Sequence, residues 1–250
     1  MKWQLLNTGF NSGVFNMRFD IDLARNSKPG QAVLRLYRWR PYCISLGAHQ
    51  SFDSVKLNKA TDDNVEVVKR PTGGKAILHS EELTYSVIFP ISENLSAKNI
   101  YYHINLALLE GLTIYNSELN EIESESNQPD FPSFYKQEKS TICFAVSAKN
   151  ELKYFGKKLV GSAQRKLGNS ILQHGSILCG PYHLNIVNYL YAENPKALKS
   201  EIKNTTTDLG SILNENIDYD KLAKSIAKGF EIRFNMKFDE VLTSELETIY

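Results

Sequence analysis

A segment with chemically versatile residues lies between two β-rich runs. The sequence KRPTGGKAILH is flanked by VEVV and, after SEE, by LTYSVIF. Its glycine pair, Gly73 and Gly74, lets backbone N–H groups approach a ligand without interference from a Cβ atom. Arg70 and Lys75 can meet an anion or a carboxyl group, and His79 can orient a polar group. The residues alone allow a second interpretation, a turn with solvated cations.

A second segment, GKKLVGSAQRKLGNSILQHGSIL, begins at Gly156. It places Lys158 near the start of a hairpin, followed by a Gly-Ser-Ala turn and a histidine-glycine pair. By type and position, Lys158 is typical of a surface lysine in a hairpin. We expect its side chain to bury little surface.

Composition restricts the class of protein. The 250 residues carry a formal charge of +1, from 29 Lys and Arg against 28 Asp and Glu, without a polybasic tail or an acidic block. This balance gives no reason to expect a nucleic acid or a membrane surface as a partner. Neither a signal-peptide core nor an apolar run of about 18 residues occurs, so we expect a cytoplasmic chain. At this length we expect one domain over residues 1–250, without a separate accessory domain.

The cysteines and histidines show no metal-binding pattern. Cys43, Cys143 and Cys179 are odd in number and widely spaced. They fit neither a disulfide framework nor a CxxC metal site, and a reducing compartment is expected. No histidine pair among His49, His103 and His183 has the spacing of metal ligands, and we predict no metal.

Hydrophobic periodicity in the first half predicts mixed α and β structure. Phe15, Phe19 and Leu23 recur every four residues and predict a helix over 15–25 that begins near Ser12. AVLRLYRW, ISLG, VEVVK, KAIL and LTYSVIF predict strands. After Ser96 as N-cap, apolar residues at steps of four predict a long helix that packs on this sheet.

The second half continues the sheet after a polar stretch. Residues 118–140 have no periodicity and carry two prolines, which predicts a loop that is mobile or functional. ELKYF and KLVGSA predict a hairpin, and SILQHGSIL predicts a strand with a kink at His174-Gly175. A helix should begin after Asp218 or Asp220, and TSELETIY should form a short last helix.

Both chemically versatile segments resemble motifs of one family. KRPTGGKAILH is similar to RRxTGGxAVxH, and the second segment is similar to GRKxxGSAQ followed by LQHGSIL. FNMRFDIDLA and PYCISLGAHQ resemble the family's N-x-x-x-D and PxxSLGxxQ stretches. The chain is identified as a member of the lipoate–protein ligase A, lipoyl (octanoyl) transferase and biotin ligase superfamily over about residues 1 to 215.

The resemblance implies a fold and a site. It implies the α/β fold of the biotin/lipoate ligase catalytic domain, a mixed, largely antiparallel sheet with flanking helices. The pocket should lie between the Gly73 loop and the Lys158 hairpin, with Lys158 at the acyl carbonyl or the phosphate of an acyl-adenylate. The implied substrate-binding residues are Arg70, Gly73, Gly74, Lys75, His79, Gly161, Ser162, Ala163 and His174. His79 either shapes the pocket or is a histidine at a strand end with its hydrogen bonds satisfied, and His174 can support the Gly-Ser-Ala turn.

One cysteine favours a branch of the family. Cys143, in TICFAVSAKNEL, stands where LipM-like octanoyltransferases carry a cysteine that forms an acyl-thioester. GGK and HSEEL depart from the GGG and HD-x-GN of the ligases. Cys43 and Cys179 lie in apolar, strand-like runs, and we expect them to be buried.

The resemblance therefore implies transfer of an octanoyl (or lipoyl) group from a carrier-protein thioester to a lysine of a lipoyl domain through an acyl-cysteine. No cofactor is expected for this reaction. The implied partners are acyl carrier protein and lipoyl-domain proteins, namely the glycine cleavage H protein and 2-oxoacid dehydrogenase E2, and the chain is expected to be a monomer. Two alternatives stay open: an ATP- and Mg-dependent lipoate–protein ligase, and an acyl- or lipoyl-domain-binding module without activity.

Overall fold

The structure is a computed structural model that describes residues 1–91, 95–124 and 151–239. In these ranges the strands are β1 (Lys2–Asn11), β2 (Gln31–Trp39), β3 (Cys43–Leu46), β4 (Glu66–Lys69), β5 (Ile77–His79), β6 (Glu82–Pro90), β7 (Ile122–Ser124), β8 (Leu152–Tyr154), β9 (Lys157–Leu167), β10 (Ser170–Leu178) and β11 (Phe238–Asp239). The α-helices are α1 (Gly13–Arg25), α2 (Leu57–Asp62), α3 (Ala97–Tyr115), α4 (Pro195–Thr205), α5 (Leu209–Leu213) and α6 (Tyr219–Phe234). Short 3₁₀ helices occupy Phe52–Ser54, Ser117–Glu121 and Pro181–Asn188.

The described strands form two sheets. The large sheet has eight strands in the order β11-β1-β2-β6-β10-β9-β8-β7, and the small sheet has the order β4-β3-β5. In the large sheet β1 runs parallel to β2 and β11, and the other pairs are antiparallel. The predicted α/β fold with a mixed, largely antiparallel sheet and flanking helices is confirmed.

Helices α3 and α6 cover one face of the large sheet. The apolar stripe of α3 packs against inward-pointing residues of β6, including Leu83 and Val87, in one core cluster. Gly111 of α3 and Gly229 of α6 meet at the helix crossing, where an added Cβ on either residue would overlap the backbone of the other helix. The two glycines therefore allow the helices to approach closely.

The other face of the large sheet carries α1 and the small sheet. Phe19 and Ala24 of α1 pack against Ile88 of β6 and Leu172 of β10. The small sheet has its own apolar cluster, which includes Ile44, Leu46 and Leu78. This arrangement leaves a space between the two sheets, next to α1.

The predicted helix starts are confirmed. Ser12 caps α1 by accepting a hydrogen bond from the Phe15 backbone N–H at 3.2 Å. Ser96 caps α3 in the same way. Asp218, rather than Asp220, caps α6. Each cap satisfies a backbone donor that the first helical turn leaves without a partner.

Two predictions need correction, and others fall outside the description. Strand β10 has no interruption at His174-Gly175, because it pairs in continuous register with both β6 and β9. The stretch predicted as a loop from residue 118 begins instead with a 3₁₀ turn and the edge strand β7. The remainder of that stretch and the predicted helix TSELETIY lie outside the described residues.

Within the described ranges, none of the helices has the length and apolar character needed to cross a membrane.

Candidate active site

A pocket lies between the two sheets, on the α1 side of the large sheet. Its cavity volume is about 20 Å³, so the pocket is narrow in this structure, and the surface that lines it is mostly apolar. Four neighbouring strands contribute to it in order, with Trp39 from β2, Thr84 from β6, Ser176 from β10 and Lys158 from β9. Three interstrand spacings of about 4.8 Å make this path about 14 Å long. The lining, apolar with a few convergent polar groups, is typical of a small-molecule site.

Arg70 builds the loop that borders the pocket. Its buried guanidinium donates to the backbone oxygens of Ser45 at 2.8 Å, Gly73 at 2.9 Å and Lys75 at 2.7 Å. The planar fork of an arginine suits several acceptors in fixed directions. In the structure Arg70 thus holds the Gly73 loop in shape, while the role of Arg70 and Lys75 toward a substrate stays a prediction.

The two loop glycines differ in their surroundings. Gly74 has φ +94°, a conformation that favours glycine, and its carbonyl oxygen lies where a Cβ on Gly47 would be. Around Gly73, an added Cβ would meet no atom within 4 Å. The loop is therefore pressed against Gly47 at Gly74, whereas Gly73 borders open space.

His174 connects this loop to α1. Its Nε2 lies 2.6 Å from the Thr72 hydroxyl, and its Nδ1 lies 3.6 Å from the Asp20 carboxylate. Asp20 is also paired with Arg35 at 2.8 Å, and both side chains are fully buried. Burial by itself would raise the pKa of Asp20, but Arg35 and His174 lower it below 3.8. Burial lowers the pKa of His174, with Asp20 opposing.

His79 belongs to a second buried network. Its ring nitrogens form hydrogen bonds with Ser45 Oγ at 2.7 Å and with Glu82 Oε1 at 2.8 Å. The ring also stacks on Trp39, with the ring centroids 4.0 Å apart. The Trp39 indole N–H donates to Thr84 at 2.7 Å. Burial would raise the pKa of Glu82, but His79 and two hydroxyl donors lower it. This network fixes the pocket wall opposite Lys158.

Lys158 is buried, which corrects the expectation of a surface lysine. Its Nζ lies 2.9 Å from Glu151 Oε1, and the two side chains are 2% and 3% exposed. The predicted hairpin is present, but its turn is Phe155-Gly156 rather than Gly156-Lys157. The hairpin β8–β9 lies within the large sheet, between β7 and β10. The lysine therefore lines the pocket as a desolvated cation beside a carboxylate.

The Gly161-Ser162-Ala163 segment forms the adjacent wall. All three residues line the pocket on β9. The Ser162 hydroxyl lies 2.6 Å from the Tyr85 hydroxyl, whose pKa burial raises to about 12. On β10, a Cβ at Gly175 would overlap the Gly161 carbonyl oxygen, so a glycine is needed opposite this segment.

The cysteine predictions have different outcomes. Cys143 lies outside the described residues, so its place stays a prediction. Cys43 and Cys179 are buried, as predicted, and burial raises both thiol pKa values, that of Cys179 to about 12.

No cluster that could hold a metal occurs in the described part of the chain. His183 and His103 instead contact Thr206 and Arg233.

The structure brings most predicted residues together and adds three acidic ones. Arg70, His79, Lys158, His174 and the Gly-Ser-Ala segment all line the pocket. Sequence reasoning gave no role to Asp20, Glu82 or Glu151. Asp20 lies four residues after Asn16 on the inner face of α1, and Glu82 starts a polar alternation with Thr84 in an apolar strand, so both had a sequence signal.

Comparison with known proteins identifies the family. The family model "Lipoyl protein ligase A/B catalytic domain" matches residues 12–231. The chain belongs to this family. The predicted superfamily is thereby confirmed, and the match extends beyond the range of the sequence motifs.

Curated relatives in this family carry a more specific name. The octanoyltransferase LipM of Clostridioides difficile (strain 630) is 31% identical over 248 residues, which cover 96% of this chain and 89% of that protein. The octanoyltransferase LipM of Bacillus subtilis (strain 168) is 28% identical, with 99% of this chain and 92% of that protein covered.

Solved structures of lipoate–protein ligases share the fold. A lipoate–protein ligase A bound with ATP has a TM-score of 0.77 at 18% identity, covering 100% of this chain and 92% of that chain. A bi-partite lipoate protein ligase from Thermoplasma acidophilum, studied with its E2 lipoyl domain, has a TM-score of 0.76 at 18% identity and covers 100% of this chain and 90% of its own. At this identity the likeness concerns the fold alone.

Proposed function

We propose that this lipoyl ligase family member is an octanoyltransferase of protein lipoylation. It moves an octanoyl (or lipoyl) group from a carrier-protein thioester to a lysine of a lipoyl domain. The observation that supports this most directly is the full-length similarity, at about 30% identity, to relatives named octanoyltransferase LipM. The pocket agrees with such a substrate, because it is apolar and ends at a buried cation.

The path across the pocket lining is long enough for a medium-length acyl chain. An extended eight-carbon chain spans about 9 Å, since each C–C bond is about 1.5 Å long. This is shorter than the path of about 14 Å across β2 to β9. With the carbonyl group at Lys158, the chain would extend over Ser176 and Thr84 toward Trp39.

In the first step the thiolate of Cys143 attacks the carbonyl carbon of the acyl thioester. A new C–S bond to Cys143 forms, the C–S bond to the carrier breaks, and the carrier leaves as a thiol after taking up a proton. Exchange of one thioester for another is nearly balanced in free energy, so ATP is not needed. The thiolate fraction of a cysteine rises beside a cation such as Lys158.

In the second step the neutral ε-amine of the acceptor lysine attacks the acyl-cysteine. A C–N bond forms, the C–S bond breaks, Cys143 leaves as a thiolate, and the amine gives up one proton. The amide is much more stable than the thioester, which drives the cycle. In both steps negative charge develops on the carbonyl oxygen, and a desolvated cation at Lys158 stabilises it more strongly than a solvated one.

The remaining parts of the proposal concern cofactors, partners and location. We propose no resident cofactor, a donor of the acyl-carrier-protein type, and lipoyl domains of the glycine cleavage H protein or E2 type as acceptors. The chain would act in the cytoplasm as a single-domain monomer. Arg70, Lys75 and the Gly73-Gly74 backbone would shape the entrance, with His79 and His174 holding the walls.

The second candidate is an ATP-dependent lipoate–protein ligase that uses the same pocket. The fold shared with a ligase bound with ATP favours it. In that case Lys158 would meet the phosphate of an acyl-adenylate, and Cys143 would be incidental. Pyrophosphate exchange into ATP that depends on free lipoate separates the two, because the transferase should show none.

The deciding experiment tests Cys143 as the acyl carrier. Incubation of the protein with octanoyl-carrier protein and no acceptor should add the mass of one octanoyl group, which hydroxylamine removes. Cys143→Ser should not accumulate this species, because an unactivated hydroxyl is a much poorer nucleophile than a thiolate. Cys43→Ala and Cys179→Ala are the matched controls and should retain it. If Cys143→Ser modifies its acceptor at the normal rate, and only with ATP and free lipoate, the protein is a ligase. If the protein has neither transferase nor ligase activity, the binding module without activity remains.

A further inference from the structure

The turn of the β8–β9 hairpin presents an unusual residue. Phe155 and Gly156 both have positive φ, 45° and 74°, and they connect Tyr154 directly to Lys157. A two-residue turn with this backbone prefers Asn-Gly, because a bulky side chain is disfavoured at positive φ. The chain has a phenylalanine at this position, against the local backbone preference.

The Phe155 ring is exposed at this turn. It is 68% exposed, although it meets the Tyr154 ring edge to face at 4.7 Å. An aromatic ring in water stabilises the fold less than a buried one, and aromatic side chains, Phe included, are enriched at protein–protein interfaces. The ring contributes nothing to the core that would explain its presence.

Positive charge lies next to the turn and on the helix that ends beside its strand. Lys157 follows the turn and is exposed. Helix α4 ends beside the same strand, where the Thr207 N–H donates to the Lys158 carbonyl oxygen at 3.0 Å. Along its exposed face α4 carries Lys196, Lys199 and Lys203 against the single acidic Glu201. On the opposite side Lys153 faces Glu123 across β7–β8, so among the described residues the surplus of positive charge lies toward α4.

The turn is close to the proposed reacting group. Phe155 precedes Lys158 by three residues, which is at most about 10 Å along an extended strand. A lysine side chain reaches about 6 Å, given bonds of about 1.5 Å. A protein whose own lysine reaches an acyl group at Lys158 must therefore contact the enzyme surface within about 10 Å of the pocket, which includes the turn at Phe155. A donor on a long flexible arm has no such need.

We propose that Phe155, with Lys157 and the lysines of α4, forms the docking surface for the acceptor lipoyl domain. The ring would anchor in an apolar depression beside the acceptor lysine, and the lysines would face acidic residues of that domain. This inference rests on the proposed transfer reaction, since it assigns the acceptor side of the same site.

The test uses Phe155→Asn in the full chain. Asparagine tolerates positive φ, so the variant should unfold at the same temperature as the wild type or higher. Transfer from pre-formed octanoyl-enzyme to an apo lipoyl domain should then need at least about 10-fold more acceptor for half-maximal rate, the cost typical of losing an aromatic hot spot. Acylation of the enzyme by octanoyl-carrier protein, and transfer to a short lysine peptide, should be unchanged. Tyr191→Asn removes another ring, 66% exposed, and should behave as wild type.

Charge reversal provides an independent measurement. Lys157→Glu should weaken calorimetric binding of the lipoyl domain, and added salt should weaken binding by the wild type more than by this variant. If Phe155→Asn needs the same acceptor concentration for half-maximal rate as the wild type, the inference is overturned. It is also overturned if the variant loses only the rate of acylation by octanoyl-carrier protein, which would assign the surface to the carrier. Failure of the proposed function looks different, because the wild type would then form no octanoyl-enzyme at all.

Discussion

Lys158 and Glu151 form an ion pair of 2.9 Å inside the protein, with both side chains nearly inaccessible to water. Removing two charges from water costs several kcal/mol per ion, and the attraction between the two ions offsets that cost in part. The lysine is thus held as a cation at the pocket wall before substrate arrives. This preorganisation means that little reorganisation is required when charge develops on the acyl oxygen.

Lys158→Met should reduce both stability and activity. It leaves Glu151 buried without its counter-charge, which should lower the free energy of unfolding by about 3–5 kcal/mol. It also removes the cation from the developing oxyanion, which should slow acyl transfer at least about 100-fold. Urea denaturation and single-turnover transfer measure the two effects.

A double variant separates the two roles of this lysine. Lys158→Met combined with Glu151→Leu replaces the pair by apolar groups of similar size and should recover most of the lost stability. Activity should stay at the level of the single variant. Transfer that returns together with stability would show that Lys158 acts only in folding.

The element predictions succeeded where local signals and tertiary structure agree. Ser12, Ser96 and Asp218 cap helices because a polar side chain precedes an apolar periodic run in each case. The β8–β9 hairpin followed from Gly156 between two strand-like runs, although its turn is one residue earlier than predicted. Such signals depend on neighbours within a few residues, which a single sequence shows.

The burial of Lys158 could not be predicted in this way. The hairpin pairing is local, but Thr206, which pairs with Lys158, and Ser176 of β10, which lines the same pocket, are not local neighbours in the chain. In the same way, His174 meets Asp20 and Thr72 only because β10, α1 and the Gly73 loop surround one pocket. The family motifs marked these residues, but they did not give their contacts.

The close approach of Gly47 to Gly74 predicts a contrast between two alanine variants. Gly47→Ala would place a Cβ on the Gly74 carbonyl oxygen, so the Gly73 loop must shift. Because Arg70 and Thr72 are attached to this loop, acyl binding should weaken at least about 10-fold, as small displacements of positioning groups cost this much or more. The KM for octanoyl-carrier protein measures it.

Gly73→Ala is the matched control for the fold. An added Cβ there meets no atom within 4 Å, and the backbone φ is not in the region that favours glycine. Its melting temperature should equal that of the wild type, whereas Gly47→Ala should melt lower. Equal melting temperatures for both variants would contradict the close contact between Gly47 and Gly74.

The buried thiols predict selective cysteine labelling. Burial raises the pKa of Cys43 well above 9.0 and that of Cys179 to about 12, so neither thiol forms appreciable thiolate near neutral pH. Iodoacetamide should therefore modify Cys143 alone in the folded protein, and all three cysteines after denaturation. Peptide mass mapping measures the labelled positions. Labelling of Cys43 in the folded state at a rate similar to Cys143 would contradict this.

His174 predicts how stability depends on pH. Burial lowers its folded-state pKa below 6.5, so the folded protein binds fewer protons at this group than the unfolded chain does. The stability that neutral His174 contributes is complete above about pH 6.5 and is lost as the pH falls through the folded pKa. Over this range the free energy of unfolding falls by up to about 1.4 kcal/mol per pH unit. Burial also lowers the pKa of His183, which adds in the same direction. Urea denaturation at about pH 7.5 and about pH 5.5 should show a smaller loss for His174→Asn than for the wild type, and an equal loss would show that His174 does not titrate as its burial requires.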